Sequence, residues 1–116
     1  MKIEVGVDII EVERIKDLID KNDSFSSRVF NDDEINYCNK HKRYAEHFAV
    51  RFAAKEAVIK ALGKRDIPFK DITISHEDSG RPVVCLTNSW KKYESYLSVS
   101  LSHCEKYAVA YVVYCK

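Results

Sequence analysis

The 116-residue sequence carries almost no net charge: 19 Lys and Arg stand against 18 Asp and Glu, a formal balance of +1. Domains whose main partner is nucleic acid show a clear basic excess, so no nucleic-acid partner is expected, although a local basic patch is compatible with the balance. No apolar run approaches the length of a membrane span. Met1-Lys2-Ile3-Glu4-Val5 lacks the apolar core of a signal peptide, so a cytoplasmic chain without membrane contact is expected. The four cysteines, Cys38, Cys85, Cys104 and Cys115, form no C-x-x-C pair. His103-Cys104 is adjacent rather than spaced for zinc, which argues against a structural zinc site. Free thiols without disulfides follow for a cytosolic protein. Repeats, low-complexity stretches and linkers are also missing, which leaves one domain over residues 1–116, near the commonest domain size.

What is present is ordinary in bulk, 46% hydrophobic and 32% charged, and ordered in pattern. Ile3, Val5, Val7 and Ile9 alternate with Lys2, Glu4, Gly6 and Asp8. This predicts a half-buried strand with the apolar set facing the core and Asp8 emerging from the opposite face at the strand end. A helix follows with Ile15, Leu18 and Ile19 inward and mixed charges outward, broken at Asn22-Asp23-Ser24. Asn31-Asp32-Asp33-Glu34 has capping-box spacing and opens a short helix through Ile35, Tyr37 and Cys38. A long alanine-rich helix runs from near Tyr44 to Leu62 and closes on Gly63. The period then changes to two. Strands over 71–75 and 81–86 flank the turn Asp78-Ser79-Gly80, and a short helix is expected within 88–96. Leu97–Ser102 and Tyr107–Tyr114 form a terminal hairpin. The fold class is α+β, with a largely antiparallel sheet packed on the alanine-rich helix.

That helix puts a carboxylate where apolar residues belong. At about 100° per residue, Ala45, Phe48, Ala49, Phe52, Ala53 and Ile59 share one stripe. Glu56 projects near its middle and Lys60 lies at its edge. A buried carboxylate without partners costs several kcal/mol. One partner is Lys60, as a simple i,i+4 ion pair. The other is a metal ion or charged ligand, and the second patterned carboxylate, Asp8, favours it. Two hard oxygen ligands suit Mg²⁺, which keeps several waters and fills its shell with substrate phosphates. Lys60 would neutralise phosphate charge, and phosphoryl chemistry asks for little beyond positioning, a metal and cations. Simpler readings exist for each residue. Asp8 and Glu11 have capping-box spacing, Arg51 and Lys55 read as snorkelling surface cations, and His103 reads as a turn residue.

Gly6-Val7-Asp8-Ile9, then Arg51-Phe52-Ala53-Ala54-Lys55-Glu56-Ala57 with Lys60, then Ser100-Leu101-Ser102-His103 together resemble the small bacterial-type 4′-phosphopantetheinyl transferases, the holo-[acyl-carrier-protein] synthase family. Phe30-Asn31-x-x-Glu34 with Tyr37, Phe69-Lys70-Asp71-Ile72 and Gly80-Arg81-Pro82 fall in matching places, so the resemblance spans Ile3 to Val113. It implies the 4′-phosphopantetheinyl transferase fold and transfer of 4′-phosphopantetheine from coenzyme A to a serine of apo-acyl carrier protein. Adenosine 3′,5′-bisphosphate is released, in support of fatty acid biosynthesis. By the same resemblance Asp8 and Glu56 would hold Mg²⁺, Lys60 would stabilise the leaving group, and Glu56 or a metal-bound water would serve as base. Arg51, Lys60, Gly80, Arg81, Pro82, Ser102 and His103 would surround the nucleotide. A homotrimer with sites at subunit interfaces is implied too.

The family docks its acidic carrier protein on the first helix, where Arg14, Lys21 and Arg28 supply cations and Leu18 and Phe25 apolar contacts. Ser24 stands where a cation is common, and Asp17, Asp20 and Asp23 dilute the patch. Two further departures are the stretch Gly63-Lys64-Arg65-Asp66-Ile67-Pro68, shorter than the usual glycine-rich loop, and Asn31 in place of threonine. Lys64 or Arg65 would replace lost phosphate contacts by charge. A trimeric module that captures coenzyme A without turnover, and a Mg²⁺-dependent pyrophosphate hydrolase, are the competing readings.

Overall fold

The computed structural model describes residues 1–116, the Asp23 side chain excepted. β1 (Ile3–Glu11) leads into α1 (Val12–Lys21), α2 (Asp23–Val29), α3 (Asp32–Asn39) and α4 (Tyr44–Leu62). β2 (Ile72–His76) and β3 (Pro82–Leu86) follow, then β4 (Leu97–His103) and β5 (Tyr107–Cys115). The expected short helix is a 3-10 helix over Asn88–Tyr96. The fold is α+β, and its strands form two antiparallel sheets, β1-β5-β4 and β2-β3.

The facing of β1 is the reverse of the sequence expectation. Ile3, Val5, Val7 and Ile9 are 50–66% exposed, while Gly6 and Ile10 are buried. The cause is α4, which lies directly on the other face. A Cβ on Gly6 would sit 2.1 Å from the Ala57 carbonyl oxygen and 2.7 Å from the Ala61 nitrogen. Only small residues tolerate that approach. The sheet supplies Gly6, Ala108 and Ala110, and the helix supplies Ala53, Ala57 and Ala61. Because side chains alternate along a strand, the larger apolar set is left on the open face. Val5 pairs with Val113, Val7 with Tyr111 and Ile9 with Val109, so that face is apolar across two strands.

Asp8 pairs with Ala110 inside β1, not at its end. Glu11 precedes α1 without a side-chain cap, so the capping reading of Asp8 falls. Val12 and Ile15 are the buried residues of α1, whereas Leu18 is 36% exposed. Asn22 ends α1 and starts α2 by accepting from the Ser24 N–H at 3.1 Å, a second helix that the sequence did not announce. Gly63 terminates α4 at φ 65°, a left-handed conformation that favours glycine, with its N–H 2.9 Å from the Ile59 carbonyl.

Helix α4 is buried on nearly every side, and its charged residues follow suit. Lys55 is fully buried, donating to the Val29 carbonyl and Glu34 Oε1 at 2.8 Å each and to the Phe69 carbonyl at 3.1 Å. Glu34 closes the α3 capping box and accepts from the Ile74 N–H at 2.9 Å. One ion pair thus ties α2, α3, α4 and β2 together. Arg51 is also buried, with its guanidinium 4.4 Å from the Tyr37 ring centroid. Neither residue is a surface cation, because the long stems enter a core that provides acceptors or a ring face at the charged end.

Candidate functional site

The Gly6–Ala57 contact decides where Asp8 points. Two residues further along the same strand face, Asp8 reaches the last turns of α4 beside Glu56 and Lys60. Lys60 Nζ donates to the Val7 carbonyl at 2.9 Å and to Asp8 Oδ1 at 3.3 Å. Lys60 therefore pairs with Asp8, and the i,i+4 pairing with Glu56 is not the one adopted. Burial lifts the Glu56 carboxyl above its ordinary range, the Asp8 charge adds to the lift, and Lys60 opposes it. Asp8, Glu56 and Arg14 line a cavity of 460 Å³ with Glu11, Phe52 and Tyr107. On the other side of Glu56 lies a hollow of 550 Å³ lined by Lys60, Gly63, Arg65 and Phe69.

A half-buried carboxylate, Glu56, whose charge is disfavoured by burial and by the neighbouring Asp8 suits a hard divalent cation. Among the described residues no cluster of three His, Cys, Asp or Glu side chains surrounds a metal-sized point. A donor set of these two carboxylates, with the rest of the shell left to water and phosphate, would suit Mg²⁺ rather than zinc or a fully caged calcium ion.

A third cavity, of 540 Å³, opens near the first half of α4. Arg51, Gly80, Arg81, Pro82 and His103 all line it. Gly80 turns at φ 92° between β2 and β3, placing Arg81 at the rim. His103, at the end of β4, faces the same sheet side as Asp8 but from the opposite edge. Its Nδ1 meets Glu46 Oε1 at 2.7 Å. Ser102 alternates onto the open face, paired with Val109, and does not line this pocket. All four histidines of the chain gather here with Tyr37: the His41 and His47 rings lie 3.9 Å apart, His47 and His103 5.3 Å, and Tyr37 and His76 4.8 Å. No local pattern announces this cluster, since its members come from α3, α4, β2, β4 and the loop before α4.

On α1, Arg14, Leu18 and Lys21 are exposed. Arg28 lies on α2 rather than α1, exposed, with its Nε on the Ser24 carbonyl at 3.2 Å. Phe25 turns inward, 9% exposed, against Phe30 and Phe52, so Leu18 is the exposed apolar residue of this face. Asp17 and Asp20 are exposed, and Asp20 is engaged by Lys16 at 2.9 Å and the Tyr44 hydroxyl at 2.9 Å. The Asp23 side chain, expected to dilute the patch, lies outside the described residues.

The family model described as the 4′-phosphopantetheinyl transferase superfamily matches residues 4–112. The chain belongs to that superfamily. Within it, the similar curated proteins are holo-[acyl-carrier-protein] synthases. The one from Clostridium kluyveri is 45% identical, covering 94% of this chain and 87% of the relative. That from Clostridium acetobutylicum is 43% identical, covering 94% of each. Among solved structures, the Bacillus anthracis holo-(acyl-carrier-protein) synthase in complex with CoA (3′,5′-ADP) superposes with a TM-score of 0.80 at 34% identity, over 96% of this chain and 94% of that one. The Helicobacter pylori enzyme in complex with coenzyme A gives 0.79 at 33% identity, over 93% and 96%.

Proposed function

We propose that this protein is a Mg²⁺-dependent holo-[acyl-carrier-protein] synthase, one transferase domain over residues 1–116. It moves 4′-phosphopantetheine from coenzyme A to a serine hydroxyl of apo-acyl carrier protein. The serine oxygen bonds to the phosphorus that bears the pantetheine arm, and the bond from that phosphorus to the bridging oxygen breaks, releasing adenosine 3′,5′-bisphosphate. The observation that carries this reading is the cleft in which the Gly6–Ala57 contact joins Asp8 to Glu56 and Lys60.

Asp8 and Glu56 would hold the ion, which when bound supplies positive charge to the pyrophosphate. Lys60 is a half-exposed ammonium whose present partners are one carbonyl and one carboxylate. Turned toward the leaving phosphate, it would stabilise the charge developing there. Glu56 is the chain's own carboxylate available to receive the serine proton. The nucleophile arrives on the partner, so no activated Ser or Cys is needed in this chain. Arg51, Gly80, Arg81, Pro82 and His103 would surround the nucleotide. On α1, Arg14 borders the Asp8 cleft, and with Leu18 and Lys21 it offers an acidic carrier protein a docking face beside the chemistry.

The same reading includes a cytoplasmic location and a homotrimer. Support for the trimer is the open apolar sheet face, with Ile3, Val5, Val7, Ile9, Tyr107 and Tyr111 each at least 45% exposed, since contiguous apolar surface of this kind marks interaction sites. The Asp8 cleft and the Arg51 pocket also lie at opposite edges of one sheet, an arrangement in which a ring of copies brings one chain's carboxylates to the next chain's arginines.

The test is turnover of Asp8→Ala and Glu56→Ala beside their thermal melting. Both variants should lose transfer. Glu56→Ala should melt no lower than wild type, because the carboxylate it removes is held unfavourably by burial and by Asp8. Wild-type turnover in either variant would remove that carboxylate from the mechanism.

A further inference from the structure

Glu46 has no part in the reaction above, yet it is a carboxylate only 6% exposed. Such a group is retained when its lone pairs are satisfied. Oε1 meets His103 Nδ1 at 2.7 Å, and Oε2 meets the Arg43 Nε. Burial works against the charged form, and the bond to His103 together with the Arg43 charge outweighs it, so the Glu46 carboxyl sits below its ordinary range. An ionised carboxylate only accepts, so Nδ1 of His103 is the donor. The contact bridges 57 residues of sequence and joins α4 to the end of β4. It fixes the ring at the wall of the pocket that Arg51 and Arg81 also line, leaving Nε2 as the ring's remaining polar atom.

We infer that Glu46 is a positioning residue that makes His103 an anion receptor: it holds Nδ1–H, and Nε2–H is presented to a phosphate oxygen of the bound nucleotide. The inference rests on the reading of this pocket as the nucleotide site. A ring that donates from both nitrogens at once is an imidazolium, so phosphate binding and the charged form of His103 favour each other. Glu46 and the phosphate favour that charge. The groups that oppose it are Arg51 on α4, Arg81 on the β2–β3 turn and, behind Glu46, Arg43. His76 borders the pocket from β2. His47 faces His103 directly and adds no charge at neutral pH. Burial, reinforced by His41, Arg51 and His103, pushes its pKa down to about 4 against the pull of Glu46.

Titration calorimetry of coenzyme A into the whole protein, repeated from neutral to alkaline pH, reads affinity and the protons linked to it. Wild-type affinity should fall more steeply with rising pH than that of His103→Gln. Glu46→Gln should bind roughly tenfold more weakly, the loss expected for a charge-assisted hydrogen bond. Its turnover at saturating coenzyme A should be little changed, and Glu46→Asp should recover part of the affinity. His103→Gln should show the same loss, with no further loss in the double variant, and it serves alone if Glu46→Gln does not fold. A His103→Gln affinity that falls with pH as steeply as that of wild type, or wild-type affinity in Glu46→Gln or His103→Gln, overturns the inference. Failure of wild type to bind coenzyme A overturns instead the nucleotide reading beneath it.

Discussion

Replacing Gly6 by alanine puts a methyl group at the closest point between β1 and α4. The new Cβ would meet the Ala57 carbonyl oxygen at 2.1 Å, the Ala61 nitrogen at 2.7 Å and Lys60 Cβ at 3.0 Å. Two of these are backbone atoms in the middle of a hydrogen-bonded helix, so no rotamer change relieves them. Reaching ordinary contact at about 3.4 Å requires strand and helix to part locally by about 1 Å, and overpacking of this kind costs about 1–3 kcal/mol. For a domain of this size that lowers the melting temperature by several degrees. The functional effect is predicted to be larger. Asp8 lies two residues from Gly6, and Glu56 and Lys60 flank Ala57, so the parting opens the cleft itself. A misplacement of about 1 Å costs on the order of 10²-fold in rate. Denaturant unfolding gives the first quantity, and initial rates at saturating coenzyme A and carrier protein give the second. Gly6→Ala with wild-type kcat and stability would refute the claim that this contact builds the site.

Three other outcomes follow from the same geometry. Lys55→Met should destabilise by about 3–5 kcal/mol in denaturant unfolding, because Glu34 is left buried without its cation, while Lys55→Met with Glu34→Gln should recover much of the loss. His47 has its pKa depressed from 6.5 to about 4 in the folded protein. The unfolded chain therefore binds the extra proton first, and stability drains away as pH falls from 6.5 toward 4. His47→Asn should flatten the pH–stability curve in that window. Arg14→Glu should raise KM for carrier protein, most strongly at low salt, with coenzyme A binding unchanged; equal effects on both would take the docking face off α1.

Local signals carried much of the fold. The capping box at Asn31–Glu34, the αL glycine at 63 and the hairpin ending in Tyr107–Cys115 are short-range devices, and each appears where its residues predict. The facing of β1 did not, because alternation reveals a period but not which half of it is inside. That choice is made by α4, whose alanines admit only glycine and alanine opposite them. Likewise Glu56 was visible as a misplaced carboxylate, and Asp8 as its companion. Lys55, one position away, looked like surface because its acceptors come from Val29, Glu34 and Phe69, distant in sequence. The Glu46–His103 bond joins two elements 57 residues apart and leaves no pattern in either.

The most direct measurement is the intact mass of apo-acyl carrier protein after incubation with this protein, coenzyme A and Mg²⁺, with and without EDTA. A gain of one phosphopantetheine unit that EDTA abolishes is the predicted result. An unchanged mass with folded protein and several different carriers would contradict the transferase reading and leave a coenzyme A-binding module in its place.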